Sequence, residues 1–297
     1  SVNTLFAADL DNDGDSEILM SAGTADRVAW HENTNGQGNF GPANELADIN
    51  GANGPYHLQS TDLDGDSDKD IIAALSNDNR IVWQENLDGQ GTFSEIQTIG
   101  SLVNPVSVYV GDIDGDGKID VLGAGQDKLV WYKNLDGQGN FGPEQIIYFE
   151  QNSFMDTVYG SDIDDDGDLD VFTYQGNAIV LFKNNGTGNF GPRLIVSEEY
   201  FLSDSMVTTD IDNDGDKDLV ACYWGDGIIA WFENTDGQGS FGTTHVIDTL
   251  IAPDSLDVGD FDNDGENWEI HTATAAYHGQ QSMASYSWFN GSILTPN

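Results

Sequence analysis

The chain has 297 residues, with 52 Asp and Glu against 9 Lys and Arg, and a formal charge of -43. That imbalance excludes nucleic acid and anionic membranes as partners, since both would repel it. Hydrophobic residues make up 38% and aromatic residues 10%, spread evenly along the chain, so the sequence encodes a folded protein and not a solvating acidic tail.

Read from the N-terminus, one pattern recurs about every 50 residues. The first repeat (about 1–52) carries the acidic loop 9-DLDNDGDSE-17, the strand-like run 28-VAWHEN-33 and the glycine turn 35-NGQGNFGP-42. The second (about 53–102) repeats the order with 62-DLDGDSDKD-70, 81-IVWQEN-86 and 88-DGQGTF-93. The third (about 103–152) shows the full unit. There 106-VSVYVGD-112 alternates as a half-buried strand should, and the loop 112-DIDGDGKID-120 leads into a second run, 120-DVLGAG-125. A third strand follows at 128-KLVWYKN-134, then the turn 136-DGQGNFGP-143 and a weaker fourth strand at 144-EQIIYF-149. The fourth repeat (about 153–200) has 162-DIDDDGDLD-170, 179-IVLFKN-184 and 186-GTGNFGP-192. The fifth (about 201–250) has 210-DIDNDGDKD-218, 229-IAWFEN-234 and 236-DGQGSFG-242. The sixth (about 251–297) has 260-DFDNDGENWE-269 and 286-YSWFN-290.

Four short antiparallel strands in each repeat predict an all-β chain forming a β-propeller of six blades, with seven blades or an open solenoid less favoured. The whole of 1–297 is then one propeller domain.

The loop pattern D-x-D-x-D-G-x-x-D offers carboxylates at positions one, three, five and nine. These are Asp9, Asp11, Asp13 and Glu17; Asp62, Asp64, Asp66 and Asp70; Asp112, Asp114, Asp116 and Asp120; Asp162, Asp164, Asp166 and Asp170; and Asp210, Asp212, Asp214 and Asp218. The sixth loop offers Asp260, Asp262 and Asp264, with Glu269 displaced by one extra residue. Position seven (Asp15, Asp68, Lys118, Asp168, Asp216) can add its main-chain carbonyl, and glycine at position six permits a sharp turn; Ser67 is the exception. Hard oxygens without nitrogen or sulfur favour Ca²⁺, about one ion per repeat in a structural role. An EF-hand is excluded, because it needs Glu at position twelve, where this chain has Met20, Ala73, Gly123, Thr173, Ala221 and His271.

The acidic loop, the W-Y-x-N strand and the G-x-G-x-F-G turn together resemble the FG-GAP/VCBS repeat, a family that includes the propellers of integrin α-subunits. The resemblance implies a secreted or cell-surface recognition module stabilised by calcium. It leaves open a lectin-like carbohydrate binder, a protein–protein adhesion module acting on a cell-surface or matrix protein, and a polysaccharide-degrading enzyme or its accessory domain.

Acidic loops and glycine turns fall on one side of such a fold, and the more variable loops on the other. Tyr56, His57, Tyr200, Tyr223, Trp224, Tyr277 and His278 are candidate ligand contacts there, with Asp26, Arg27, Asp78, Arg80 and Asp226 nearby. Aromatic faces beside carboxylates and amides suit a glycan. No Ser-His-Asp order or metal-hydrolase histidine pair stands out, so catalysis is not expected. Cys222, the single cysteine, sits in 219-LVACYW-224 and reads as a small buried hydrophobe. No apolar run approaches the ~18 residues of a membrane span.

Overall fold

The computed structural model describes residues 3–22, 25–46, 54–200, 203–250, 252–259, 269–274 and 286–290. Among them the regular elements are all β-strands, and no helix is long and apolar enough to cross a membrane. The chain divides into two compact units. One comprises residues 1–158 with 187–189, and the other 159–186 with 190–297.

In the first unit, β1 (Thr4–Ala8), β2 (Glu17–Ala22), β3 (Arg27–Asn33) and β4 (Phe40–Glu45) form an antiparallel sheet in sequence order. A second such sheet holds β5 (Pro55–Thr61), β6 (Asp70–Leu75), β7 (Arg80–Gln84) and β8 (Gln97–Ser101). The third repeat supplies β9 (Ser107–Gly111), β10 (Asp120–Ala124), β11 (Gln126–Tyr132) and β12 (Gln145–Ser161). The fourth strand expected at 144–149 is thus part of a 17-residue strand that runs on into the next repeat.

The second unit takes the end of β12 beside β13 (Asp170–Gln175), then β14 (Ala178–Phe182) and β15 (Leu194–Ser197). Its next sheet is β16 (Ser203–Thr209), β17 (Asp218–Tyr223), β18 (Ile228–Asn234) and β19 (Phe241–Thr249). The described part of the last repeat is a three-stranded sheet of β20 (Pro253–Gly259), β21 (Glu269–Thr274) and β22 (Tyr286–Asn290).

Burial explains why the middle strands are apolar on both faces. Side chains of a strand alternate between the faces of its sheet, so neighbours in sequence enter different cores. Ile71 and Ala73 of β6 pack with Leu19, Val28 and Trp30 of the first repeat. Ile72 and Ala74 face the other way, onto Val108, Val121 and Val130 of the third. In the second unit, Leu219 and Ala221 join Phe172, Tyr174 and Leu181 of the fourth repeat, while Val220 and Cys222 join Ile270 of the sixth. Cys222 is therefore the buried strand residue that its neighbours predicted. The fourth strands carry the polar surface; five of the six residues of β4 are exposed.

The glycine turns of the second, third and fourth repeats each press on the third-strand tryptophan of the repeat before. A Cβ at Gly91, Gly139 or Gly188 would lie 2.1–2.4 Å from the indole of Trp30, Trp83 or Trp131 respectively. Only a bare backbone can pass that close to the ring. The third-strand tryptophan and the glycine turn of the following repeat are therefore matched parts of one contact.

Candidate metal centre

Each of the five described acidic loops joins the first and second strands of its repeat and folds by the same hydrogen bonds. The position-one aspartate accepts from the backbone N–H at position six. The donors are Gly14, Ser67, Gly117, Gly167 and Gly215, at 2.8–3.2 Å. The position-five aspartate accepts from the N–H at position seven, at 2.9–3.1 Å in all five described loops. Position six is left-handed throughout, with φ between 82° and 102°, and so is position four. Asn12, Gly65, Gly115, Asp165 and Asn213 occupy position four, all of them residue types that tolerate this conformation. Ser67 is the one non-glycine at position six, at φ 82°.

This folding gathers the carboxylates. One oxygen each from Asp9, Asp11 and Asp13 lies within 4.8 Å of the others, as for Asp62, Asp64 and Asp66 and for Asp162, Asp164 and Asp166. In the third and fifth loops the groups are Asp112, Asp114 and Asp120, and Asp210, Asp212 and Asp218. Asp260, Asp262 and Asp264 lie outside the described residues. Glu269 begins β21 opposite Gly259, the register that pairs Glu17 with Ala8 and Asp120 with Gly111, and it is buried.

The ninth-position acid does more than the sequence predicted. In four loops it accepts the N–H at position two, from Leu10, Leu63, Ile113 or Ile211, at 2.7–3.2 Å. It also accepts the N–H of the asparagine ending the W-x-x-N run. Asn86, Asn134, Asn184 and Asn234 donate at 2.7–2.9 Å, and Asn33 at 3.5 Å. The buried amides of three of these asparagines then reach back one repeat. Asn86 donates to the carbonyl of Leu10 at 2.8 Å, Asn134 to that of Leu63 at 2.8 Å and Asn234 to that of Ile163 at 3.0 Å. These asparagines were missed as working residues, although their recurrence after the aromatic pair was visible.

Burial raises the carboxyls of Asp70, Asp170 and Asp218 to about 7 and that of Asp120 to about 6. Backbone donors oppose the shift, and nearby loop aspartates add repulsion. The Oδ1 atoms of Asp9, Asp114, Asp162 and Asp164 are buried with no hydrogen-bond donor. A donor set made only of oxygen, crowded and short of protons, fits a hard divalent cation. Position-one, -three and -five carboxylates would hold it in the first, second and fourth loops, and the position-one, -three and -nine carboxylates in the third and fifth; when bound, it supplies the positive charge that their mutual repulsion calls for.

The candidate ligand contacts scatter. Tyr56 and His57 lie in the first strand of the second repeat and not in a loop. Tyr56 is 48% exposed, whereas His57 is half-buried, receives the N–H of Val108 at 3.4 Å and is held down to about 4 by burial. Tyr223 is a core residue at 1% exposure, its ring 5.1 Å from that of half-buried Tyr200, so it is not at the surface where it was expected. Trp224 follows it, half-buried. Tyr277 and His278 lie outside the described residues. The nearby charges are engaged in the fold: Asp26 accepts the N–H of Gly54 at 2.9 Å, Arg27 pairs with Glu45, and Arg80 with Asp78 at 3.4 Å.

A different feature has the makings of a binding site. A cavity of 470 Å³ opens between the first and second repeats of the first unit, where Trp30 meets Glu32, Asn44, Gln84 and Gln90.

The FG-GAP-like repeat model matches residues 9–73, 62–123, 112–173, 162–221 and 210–267, and the chain belongs to that family. No curated protein matches the sequence. Among solved structures, the chain is similar to an Agrocybe aegerita lectin that recognises non-reducing terminal N-acetylglucosamine, at 24% identity and a TM-score of 0.59 over 82% of this chain and 65% of that one. It is also similar to an auxiliary nutrient binding protein from Bacteroides ovatus, at 9% identity and a TM-score of 0.57 over 92% of this chain and 67% of that one. At these identities the likeness is one of fold.

Proposed function

We propose that this chain is a secreted, calcium-stabilised recognition module that binds carbohydrate, its six repeats forming the blades of one closed propeller over residues 1–297. The observation that carries the binding assignment is the cavity between the first two repeats. There buried Trp30 and Leu46 with half-buried Phe93 form an apolar floor, and exposed Asn44, Glu45 and Gln90 supply polar groups at the rim. Sugars use both, laying C–H faces on an apolar surface and placing hydroxyls on amides and acids. The fold likeness to a lectin supports this reading. The all-oxygen loops support calcium as the ion, since six to eight oxygen ligands suit it better than the strict octahedron of Mg²⁺.

A glycan array probed with calcium-loaded protein tests the assignment. Binding to a defined glycan class, weakened by Gln90→Ala and Asn44→Ala on the exposed rim, is the expected result. An array without hits, with capture of a cell-surface or matrix protein instead, would make the chain an adhesion module.

A further inference from the structure

The residue just before the W-x-x-N asparagine is glutamate in the first, second and fifth repeats (Glu32, Glu85, Glu233) and lysine in the third and fourth (Lys133, Lys183). Its place is the same each time, because the following asparagine is tied through its backbone N–H to the ninth-position acid of its own loop. Where the residue is lysine, its ammonium turns onto the acidic loop. Lys133 contacts Asp114 and stands 2.8 Å from Asp116, and Lys183 contacts Asp164. The third loop gains a second ammonium, Lys118, 2.7 Å from Asp116. Where it is glutamate, a negative charge comes to the same place.

We propose that this position sets the cation affinity of each loop: the glutamate-bearing loops of the first, second and fifth repeats load first, and the lysine-bearing loops of the third and fourth hold an internal ammonium and fill only at higher cation concentration. The inference rests on the cation reading of the loops. An ammonium in place of a carboxylate changes the local charge by two, and in oxygen-ligand loops affinity follows ligand charge over several decades. The lysine loops are weakened and not abolished, because the ammonium leaves acceptors unmet. Asp164 Oδ1 and Asp170 Oδ2 in the fourth loop are buried without a donor, the first on a side chain 5% exposed and the second on a residue 1% exposed.

Calorimetric titration of the chelator-stripped intact chain with CaCl₂ tests this, using the parent, the double variant Lys133→Gln/Lys183→Gln and the single variant Glu85→Gln. The parent is expected to show two classes of site separated by about tenfold or more in Kd. The double variant should tighten the weak class by about threefold or more and leave the strong class in place, while Glu85→Gln weakens one strong site by a similar factor, so that the glutamine-bearing loops fall between the two parent classes. A single class in the parent, or a weak class that the double variant does not move, overturns the proposal. Absence of calcium uptake by the parent overturns the cation reading itself and this inference with it. Far-UV circular dichroism confirms folding, and Glu85→Gln gives an independent answer because it leaves both lysines untouched.

Discussion

Ser67 holds φ at 82°, where the equivalent positions have Gly14, Gly117, Gly167 and Gly215 with open space around a would-be Cβ. A side chain in the left-handed region costs about 1–2 kcal/mol, partly offset by the extra freedom glycine has when unfolded. Ser67→Gly should therefore stabilise the protein by about 0.5–1 kcal/mol in urea unfolding. His57 has the opposite character, a half-buried base kept neutral by desolvation. Its folded pKa of about 4 lies below the unfolded value, so its contribution is present above pH ~6.5 and is lost as pH falls toward 4. Between pH 7 and 5, His57→Gln should lose less stability than the parent by about 2 kcal/mol, read as the difference between two urea titrations. At this scale the loop carboxylates were legible because their spacing is itself the signal. The asparagine latch and the Glu-or-Lys position were not, because their meaning depends on which repeat lies alongside, and spacing carries no record of that.

The strand-to-strand contacts between repeats depend on paired elements, the third-strand tryptophan and the next glycine turn. Gly139 has φ 76°, and a Cβ there would sit 2.1 Å from Trp83, whereas Gly117 has φ 83° and nothing within 4 Å. Both lose conformational freedom on substitution, but only Gly139 also overpacks. Gly139→Ala should cost about 3 kcal/mol and Gly117→Ala about 1, measured by thermal unfolding. Equal costs would show that the turn does not press on the ring. Most strands could be read from the sequence, since apolar runs are punctuated by Asp-Gly turns at every repeat. The exception is β12, where no Gly or Pro stands between Pro143 and Gly160. The chain there forms one 17-residue strand with Asn152 at φ 61°, in place of two separate strands; residues 193–214 likewise lack Gly and Pro but divide into β15 and β16, so the missing punctuation alone does not decide the outcome.

For the molecule as a whole, the central fact is a formal charge of -43 on a fold whose loops press carboxylates together. Added salt screens the exposed part of that repulsion over a Debye length of about 8 Å at physiological ionic strength, but it reaches the buried loop oxygens poorly. A divalent ion bound within a loop would act where the repulsion is greatest, and each site would add stability as RT ln(1 + [ion]/Kd). Asp9, Asp114, Asp162 and Asp164 each keep a buried oxygen without a donor, so the acids do not satisfy one another. The most direct measurement is the melting temperature of the same protein in EDTA and in millimolar CaCl₂ at equal ionic strength. The account predicts a rise of about 10 °C or more on adding calcium. Superimposable melting curves would contradict it.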